Sequence, residues 1–322
     1  MPAIVIVTYN SGEVIGPCLD SCLRQPGFDV VVVDNNSRDN TVPEVRLRPE
    51  VRLIVNSENR GFAGGVNQGV DSTAAAEVLL LNPDVVLESS LEPLVGALRD
   101  PSIGASTGML LNLDGSSQHA FHLRNLPAAT TLVFEVLGVN RLWPGNPVNR
   151  RYRFLAAPVE SQAVEQPAAA FLMLRRSVWA AIGGFDEGFH PLWVEDVDFC
   201  KRLQQAGYRI TFVPGVVARH KGGHSATGMC WESRHIRWYG SLLRYASKYF
   251  EGAGWTCVVV SVLVGSLARV LARVGVQLSF RPLSAYISVV RLASLYLQKG
   301  NRRRASEAAC PVNKGEQAAF RG

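Results

Sequence analysis

Hydrophobic residues in the first half of the chain occur in two alternating patterns. Residues 3–9, 28–33, 52–55 and 78–81 are short runs rich in Val, Ile and Leu, as expected of strands that are buried on both faces. Between the first two runs, residues 14–23 carry apolar side chains at helical spacing. This alternation predicts an α/β fold in which helices flank a mostly parallel, Rossmann-like sheet.

Polar residues follow each of these predicted strands. Tyr9-Asn10, Asp34, Asn59 and Asp84 come after the first, second, third and fourth strands. Ligands of open α/β sheets bind beyond the carboxyl ends of the strands. We therefore expect these four loops to meet at one edge of the sheet and to form a binding site.

The middle of the chain gives weaker signals. Residues 110–165 contain turn sequences and no sustained periodicity, which predicts a loop-rich insertion that covers the site. Residues 168–174 predict another buried strand, and residues 195–203 predict a helix with acidic side chains in its first turn. Residues 208–213 predict a strand that leads to His220.

The composition of the 322 residues is that of a folded protein. Hydrophobic residues make up 47% of the chain and charged residues 19%, which excludes a mainly disordered protein. The first residues have the pattern of a strand and not that of a secretory signal. We therefore expect the protein to stay in the cytoplasm.

The charge is divided unevenly along the chain. Residues 1–251 hold 23 basic and 25 acidic side chains, whereas residues 252–322 hold 10 basic and 2 acidic ones. A basic and apolar tail indicates an anionic membrane surface as partner. A nucleic-acid partner is disfavoured because no nucleic-acid-binding motif accompanies the basic residues.

The apolar part of the tail is short for a membrane span. Residues 252–268 carry no charge, and a span needs roughly 17–25 apolar residues. We favour a pair of interfacial helices in a segment 251–300, with helices of the folded core or a spanning helix as alternatives. The expected organisation is a domain 1–250, this helical segment, and a disordered basic tail 301–322.

Several polar residues are candidates for binding a nucleotide. Asp34 follows a buried strand, where its carboxylate could accept hydrogen bonds from a base or ribose or form an ordinary Asx turn. The segment 59–67 is rich in glycine and precedes a helix, so its amides could bind phosphate or merely form a tight turn. Asp84 could hold Mg²⁺ or Mn²⁺ together with a diphosphate, or lie in a solvated loop.

The densest group of acids comprises Glu195, Asp196 and Asp198. Crowded carboxylates raise one another's pKa, which suits a general base. The alternative is that they pair with the dipole of an ordinary surface helix. His220 and His224 follow a predicted strand and could bind a metal or phosphates, or be structural.

Taken together, these residues resemble the family 2 glycosyltransferases of the GT-A fold, in particular their bacterial rhamnosyltransferase-like branch. The resemblance covers about residues 3–250. The matching stretches, in family order, are residues 4–10, 33–37, 59–69, 81–84, 183–187, 195–199 and His220.

The resemblance implies an inverting transfer of a sugar from a nucleotide-sugar donor with a divalent metal, Mg²⁺ or Mn²⁺. It implies that Asp196 is the base that deprotonates the acceptor hydroxyl, supported by Glu195 and Asp198. It assigns the metal to Asp84 and His220. The donor-binding residues that it implies are Thr8, Asn10, Asp34, Asn59, Gly64, Asn67 and Asp84.

We therefore expect an enzyme that transfers L-rhamnose from dTDP-L-rhamnose to a saccharide acceptor in cell-wall or surface-polysaccharide synthesis, and we expect this acceptor to be lipid-linked. It would act at the inner face of the cell membrane. Alternatives are a hexosyltransferase that uses a UDP-sugar and a non-catalytic nucleotide-sugar-binding module. The chain departs from the family in residues 168–171 and 189–193 near the expected acceptor site, and Asn82-Pro83-Asp84 leaves one metal carboxylate.

Overall fold

The computed structural model describes residues 1–222, 230–277 and 281–309. His224 and residues 310–322 of the expected tail lie outside this range. The strands are β1 Ala3–Thr8, β2 Asp29–Asp34, β3 Arg52–Val55, β4 Glu77–Leu81, β5 Val85–Leu87, β6 Ile103–Leu111, β7 Leu123–Arg124, β8 Gln162–Val164, β9 Gln166–Pro167, β10 Phe171–Arg175 and β11 Arg209–His220.

Helices separate most of these strands. The longer ones are α1 Ile15–Leu23, α2 Thr41–Arg46, α3 Gly61–Asp71, α4 Glu92–Ala97, α6 Ala129–Leu137, α8 Pro147–Tyr152, α9 Arg176–Ile182, α10 Glu195–Gln205, α11 Trp231–Tyr249, α12 Gly252–Gln277 and α13 Arg281–Ala309. Two single-turn helices, α5 His119–His122 and α7 Val139–Leu142, lie in the insertion.

The central sheet has nine strands within the described residues, eight of them in the order β3-β2-β1-β4-β10-β6-β11-β5, with β8 beside β11. Strands β3, β2, β1 and β4 are parallel, which confirms the parallel block predicted from their apolar runs. The sheet as a whole is mixed, because β10 runs antiparallel to both β4 and β6. Strand β11 is parallel to β6 and antiparallel to β5 and β8.

Hydrophobic clusters cover both faces of this sheet. Alternate residues of β1 point to opposite faces: Val5 and Val7 belong to the cluster on the α3 and α10 side, and Ile4 and Ile6 to the cluster on the α1 and α4 side. A strand buried on both faces needs this continuous apolar run, and helices on both sides satisfy it. The ends of the strands, where the loops lie, remain accessible.

A third hydrophobic cluster joins the insertion to the C-terminal helices. Val136 of α6, Leu243 of α11, Val259 of α12 and Val289 of α13 are all buried in it. The boundary at residue 250 expected from the sequence therefore falls inside one packed layer of helices. Helix α13 continues to Ala309, past the expected end of the helical segment at residue 300.

Ion pairs fasten this helical layer to the α/β body. Asp186 accepts hydrogen bonds from Arg244 at 2.7 Å and from Lys248 at 2.9 Å. The fully buried carboxylate of Asp198 contacts Lys248 and accepts a hydrogen bond from Tyr249 at 2.8 Å. Burial opposes ionisation of Asp186, but its bonds to Arg244 and Lys248 hold the pKa of that carboxyl well below its usual range. These contacts fix α11 against α10.

Candidate active site

A cavity of about 460 Å³ lies at the carboxyl ends of β1 and β4, between the sheet edge, the insertion and α11. Such a position is the one expected for a ligand site in an α/β sheet. Six of the residues expected at the site line the cavity: Thr8, Asn59, Asp84, Glu195, Asp196 and His220. Asn10, Asp34, Gly64, Asn67 and Asp198 do not line it.

Asp84 and His220 face each other in the cavity wall. Asp84 follows β4, and His220 is the last residue of β11, which pairs with β5 immediately after Asp84. His220 Nε2 lies 3.4 Å from Asp84 Oδ1, and both side chains are almost fully buried. The second carboxylate oxygen of Asp84 accepts a hydrogen bond from the amide of Gly222 at 3.1 Å.

The side chain of Gln118 orients the His220 ring. Its amide nitrogen donates to Asn112 Oδ1 at 2.7 Å and to the His220 carbonyl at 2.8 Å, which assigns its oxygen to the side facing His220 Nδ1, 2.9 Å away. Because that oxygen can only accept, Nδ1 carries the proton. In the neutral ring the lone pair of Nε2 then points toward Asp84.

This pair fits a divalent cation. The imidazole nitrogen and the carboxylate oxygen lie 3.4 Å apart, and both are atom types that could serve as ligands of a divalent cation. Within the described residues no group of three or more His, Cys, Asp or Glu side chains is close enough to hold a metal. The remaining ligands would be phosphate oxygens and water, as is usual for Mg²⁺.

Asp196 lies on another wall of the cavity, in the first turn of α10. The residues before this helix, Trp193 and Val194, have positive φ angles of 82° and 76°, a costly conformation for a β-branched residue. Asp196 Oδ2 has only long contacts, 3.5 Å to Gln166 Nε2 and 3.4 Å to the Ala169 amide. Weak contacts leave this oxygen able to accept a proton from a bound group.

Glu195 is the buried neighbour of Asp196. It is 5% exposed, and its Oε2 has no hydrogen-bond partner among the described residues. Burial, reinforced by the charge of Asp196, raises the pKa of the Glu195 carboxyl well above its usual value of 4.5. Glu195 therefore keeps its proton to a higher pH than an exposed glutamate does.

Asp198, the third acid of the group, faces away from the cavity. Its carboxylate accepts a hydrogen bond from Arg202 at 2.8 Å in addition to its contacts with α11. These contacts give Asp198 a structural position between α10 and α11.

Asp34 lies beneath the cavity rather than in its wall. Its Oδ1 accepts a hydrogen bond from Thr8 Oγ1 at 2.9 Å, and its Oδ2 accepts one from the Ser37 amide at 2.9 Å. The backbone amide of Asn10 donates a hydrogen bond to Ser37 Oγ at 2.8 Å. Asp34 has no exposed surface, so in this conformation it organises the loops after β1 and β2 and contacts the cavity through Thr8.

The start of α3 is occupied by the chain itself. The Gly61 amide donates to Asn59 Oδ1 at 2.8 Å, and the Phe62 amide donates to the Pro191 carbonyl at 2.7 Å. These two amides, which were candidates for phosphate binding, are thus already engaged. They fasten α3 to the loop that precedes α10.

Gly64 and Asn67, further along α3, point away from the cavity. A side chain at Gly64 would meet Arg60 and Glu187. The Asn67 amide group exchanges hydrogen bonds with the backbone of Phe185, at 2.9 Å and 3.0 Å, and lines a separate surface groove. Asn67 thus holds the segment around Phe185, and Gly64 leaves room for Arg60 and Glu187 beside α3.

The insertion contributes residues that the sequence did not indicate. Phe121 stacks on His220 with ring centroids 5.7 Å apart, and Arg124 lies beside it in the cavity wall. Other lining residues that carried no recognisable signal are Leu132, Glu135, Tyr152, Arg153, Trp238, Leu242 and Tyr245. Their positions depend on how the insertion and α11 pack, which hydrophobic periodicity does not encode.

Comparison with known proteins defines the class to which this fold and site belong. The family model "Glycosyl transferase family 2" matches residues 3–178, and the model "Glycosyl transferase family group 2" matches residues 161–298. The chain belongs to glycosyl transferase family 2 and is a glycosyltransferase. Among its relatives it is of the rhamnosyltransferase-like type.

Two relatives carry this comparison. The chain is 29% identical to an N-acetylglucosaminyl-diphospho-decaprenol L-rhamnosyltransferase of Mycobacterium tuberculosis over 277 residues, which cover 76% of this chain and 88% of the relative. It is 26% identical to the O-antigen chain rhamnosyltransferase RfbN of Salmonella typhimurium over 234 residues, 69% of this chain and 67% of the relative.

Solved structures agree on the GT-A fold. A mannosyltransferase from Pyrobaculum calidifontis, in complex with GDP-Man and Mn²⁺, matches with a TM-score of 0.51 and 17% identity over 95% of this chain and 87% of the other. GalNAc-T7 with UDP, GalNAc and Mn²⁺ matches with a TM-score of 0.54 and 14% identity over 77% of this chain and 50% of the other. At these identities the likeness confirms the predicted fold and nothing further.

Proposed function

We propose that this glycosyltransferase transfers L-rhamnose from dTDP-L-rhamnose, with inversion, to a lipid-linked saccharide in cell-wall or surface-polysaccharide synthesis. The two relatives described above are rhamnosyltransferases, and one of them by its name acts on a diphospho-decaprenol. A UDP-hexose is the main alternative donor.

The observation that carries the proposal is the arrangement of carboxylates around the cavity. Within the described residues, Asp84 faces a histidine ring, Glu135 is engaged in an ion pair, and burial raises the pKa of Glu195. Asp196 has the weakly bound oxygen that can accept a proton from an acceptor hydroxyl. One base is sufficient for an inverting transfer, because a nucleoside diphosphate leaves without a protein acid to protonate it, whereas a glycosidase needs two carboxyls.

Asp84 and His220 would hold the divalent cation, Mg²⁺ or Mn²⁺, in this reaction. Bound there, the cation would neutralise the charge of the departing diphosphate. Gln118 keeps the Nε2 lone pair of His220 available by accepting a hydrogen bond from the Nδ1–H group.

Thr8 and Asn59 are the proposed contacts to the nucleoside, since both line the cavity beside Asp84. Asp34 and Asn10 would act through the loops that they hold. Asn67 would contribute by fixing the segment around Phe185, and Gly64 by leaving room for Arg60 and Glu187 beside α3. This assignment keeps every donor-binding residue that the family resemblance implies but separates direct from indirect roles.

A peripheral position at the inner face of the membrane completes the proposal. Within the described residues, Gly252–Arg269 is the one stretch long and apolar enough to cross a membrane, and 39% of it is buried inside the protein. The buried share favours packing on the protein body over spanning. The side chains of Val264 and Leu267 are 54% and 60% exposed and could enter the headgroup region.

A screen of nucleotide-sugars tests the class of donor. Thermal stabilisation and nucleotide release would be measured with dTDP-rhamnose, UDP-glucose, UDP-galactose, UDP-N-acetylglucosamine and GDP-mannose, with and without Mg²⁺ or Mn²⁺. We expect dTDP-rhamnose with metal to stabilise the protein and to be turned over slowly. Preference for a UDP-hexose would overturn the donor, and stabilisation without any turnover would indicate a non-catalytic binding module.

The role of Asp196 is tested by Asp196→Asn, which keeps the shape of the side chain and removes its basicity. We expect kcat to fall by roughly 10²–10⁴-fold while donor affinity stays the same. The control is Asp29→Asn, which removes an exposed carboxylate at the opposite end of β2. Full turnover by the Asp196 variant would exclude it as the base.

A further inference from the structure

Arg124 lies on the Asp196 side of the cavity. Strands β7 and β9 form a short ladder in which Arg124 pairs with Gln166. The side chain of Gln166 in turn contacts the Asp196 carboxylate at 3.5 Å. The ladder therefore brings Arg124 close to the proposed base, at the part of the cavity where an acceptor must bind.

The guanidinium of Arg124 has few partners for a group so enclosed. Its Nη1 makes one long hydrogen bond to the Tyr152 hydroxyl, at 3.5 Å. Its Cζ lies 6.0 Å from the ring centroids of Phe121 and Tyr152. Its Nε is buried without any hydrogen-bond partner among the described residues.

Other arginines near the cavity are paired with acids, which sets Arg124 apart. Arg153 binds Glu135 at 3.0 Å, and Arg244 binds Asp186 at 2.7 Å. Within the part of the chain that the structure describes, no carboxylate forms an ion pair with Arg124.

The charge of Arg124 is balanced at longer range by neighbouring groups. Burial opposes its charge, yet the nearby Tyr152 and Asp196 raise the pKa of Arg124, so it remains a cation. Among the described residues no carboxylate forms a direct ion pair with Arg124, so a bound anion can accept hydrogen bonds from its guanidinium. The planar guanidinium matches two oxygens of a phosphate.

We propose that Arg124 binds the diphosphate that joins the acceptor saccharide to its lipid. This inference rests on the proposed function, which supplies a lipid-diphosphate acceptor. The metal pair, Asp84 and His220, would serve the diphosphate of the donor, and Arg124 that of the acceptor. The cavity wall continues from Arg124 to the apolar side chains of Leu132, Trp238 and Leu242, against which the start of a lipid chain can pack.

Direct binding tests the site without requiring sugar transfer. Geranyl diphosphate would be titrated in the presence of EDTA, so that the metal pair cannot contribute, and dTDP would be titrated separately with Mg²⁺. We expect Arg124→Gln to weaken the binding of geranyl diphosphate about 10-fold to 100-fold, as for the loss of a charge-assisted hydrogen bond. The affinity for dTDP should stay unchanged. Arg124→Lys should retain part of the affinity.

The control variant is Arg151→Gln, which removes the same charge from an exposed position in the same insertion. It should bind both ligands as the wild type does. The thermal unfolding of all variants would be compared, so that a folding defect of Arg124→Gln is recognised. If Arg124→Gln is defective, the affinity of Arg124→Lys for geranyl diphosphate tests the proposal instead.

Transfer assays provide the second arm. The wild type should prefer N-acetylglucosamine linked to a short alkyl chain through a diphosphate over the neutral alkyl glycoside, and Arg124→Gln should lose this preference through KM. If Arg124→Gln weakened the binding of dTDP and of geranyl diphosphate equally, Arg124 would be assigned to the donor and the proposal would be overturned. Unchanged binding of both ligands would overturn it as well. A wild type that transfers no sugar but binds geranyl diphosphate through Arg124 would remove the proposed function and leave the diphosphate site standing.

Discussion

At the scale of single residues, folding strongly alters the ionisation of Glu195. It is buried beside the cavity, and its pKa is raised well above 4.5 by burial and by the charge of Asp196. The folded protein keeps this carboxyl protonated to a higher pH than the unfolded chain, which ionises it above about pH 4.5. Its contribution to stability is therefore complete below that pH and is lost as the pH rises toward the folded pKa.

The substitution Glu195→Gln should remove this pH dependence, because an amide cannot ionise. We expect the variant to gain stability relative to the wild type between pH 5 and pH 8, and to show little difference at pH 4.5 or below. Urea unfolding at these pH values measures the change in free energy of unfolding. A difference between the two proteins that is constant with pH would mean that Glu195 ionises normally in the fold.

The sequence indicates those site residues that directly follow apolar runs or open a helix. Asp84, Asp196 and His220 have this property, and all three line the cavity. Arg124 has no such signal, because it lies in a segment without periodicity and its position depends on the pairing of β7 with β9. Asp34 follows a strand but is covered by its own loop, which a pattern along the chain cannot reveal.

At the scale of the elements, the glycines of α3 control how closely this helix packs on the sheet. A Cβ atom at Gly69 would lie 2.4 Å from Val5 Cγ1, and one at Gly65 would lie 2.7 Å from Val7 Cγ1. The glycine-rich sequence thus permits close packing of helix on sheet. The alternative of a phosphate cradle is not needed to explain these two glycines.

Gly69→Ala should destabilise the protein by about 1–3 kcal/mol, because the added methyl group overpacks the contact with β1. Gly96→Ala is the matched control: Gly96 lies in α4 with nothing within 4 Å of its Cβ position. That substitution should stabilise slightly, by up to about 1 kcal/mol, since alanine favours the helix. Thermal unfolding compares the two variants, and equal stability would contradict the packing argument.

The elements most faithfully predicted are those with continuous apolar runs. Strands β1 to β4 and the start of α10 are observed within one or two residues of the prediction. Strand β6 was not predicted, because its sequence IGASTGMLL mixes small and polar residues without strand periodicity. The antiparallel direction of β10 could not be predicted either, since a buried run has the same pattern in both directions.

At the scale of the whole molecule, the C-terminal helices belong to the same packed layer as the cavity wall. Val258, Val259 and Val262 of α12 are fully buried in the third cluster together with residues of α6 and α11. Deleting the chain from residue 252 would therefore expose this cluster. Membrane association is better tested by substitutions on the outer face of α12.

The double variant Val264→Ser/Leu267→Ser should bind vesicles containing anionic lipid at least about 10-fold more weakly than the wild type, because two apolar side chains can no longer enter the membrane. The control is Leu142→Ser/Val159→Ser, which removes two equally apolar and more exposed side chains from the insertion. Vesicle sedimentation measures the bound fraction. Equal binding of both variants would exclude the outer face of α12 as the contact.

Ion pairs that join α11 to Asp186 and to Asp198 of α10 restrict which substitutions α11 can accept. Lys248 contacts both Asp186 and Asp198, and each acid has further partners, so the effect of one substitution depends on the others. Replacing Asp186 alone would leave Arg244 without its carboxylate partner and Lys248 with Asp198 only. Replacing α11 by the helix of a relative would therefore call for matching changes at Asp186 and Asp198. For this reason α11, although it lines the cavity, is an unsuitable place to begin altering acceptor specificity.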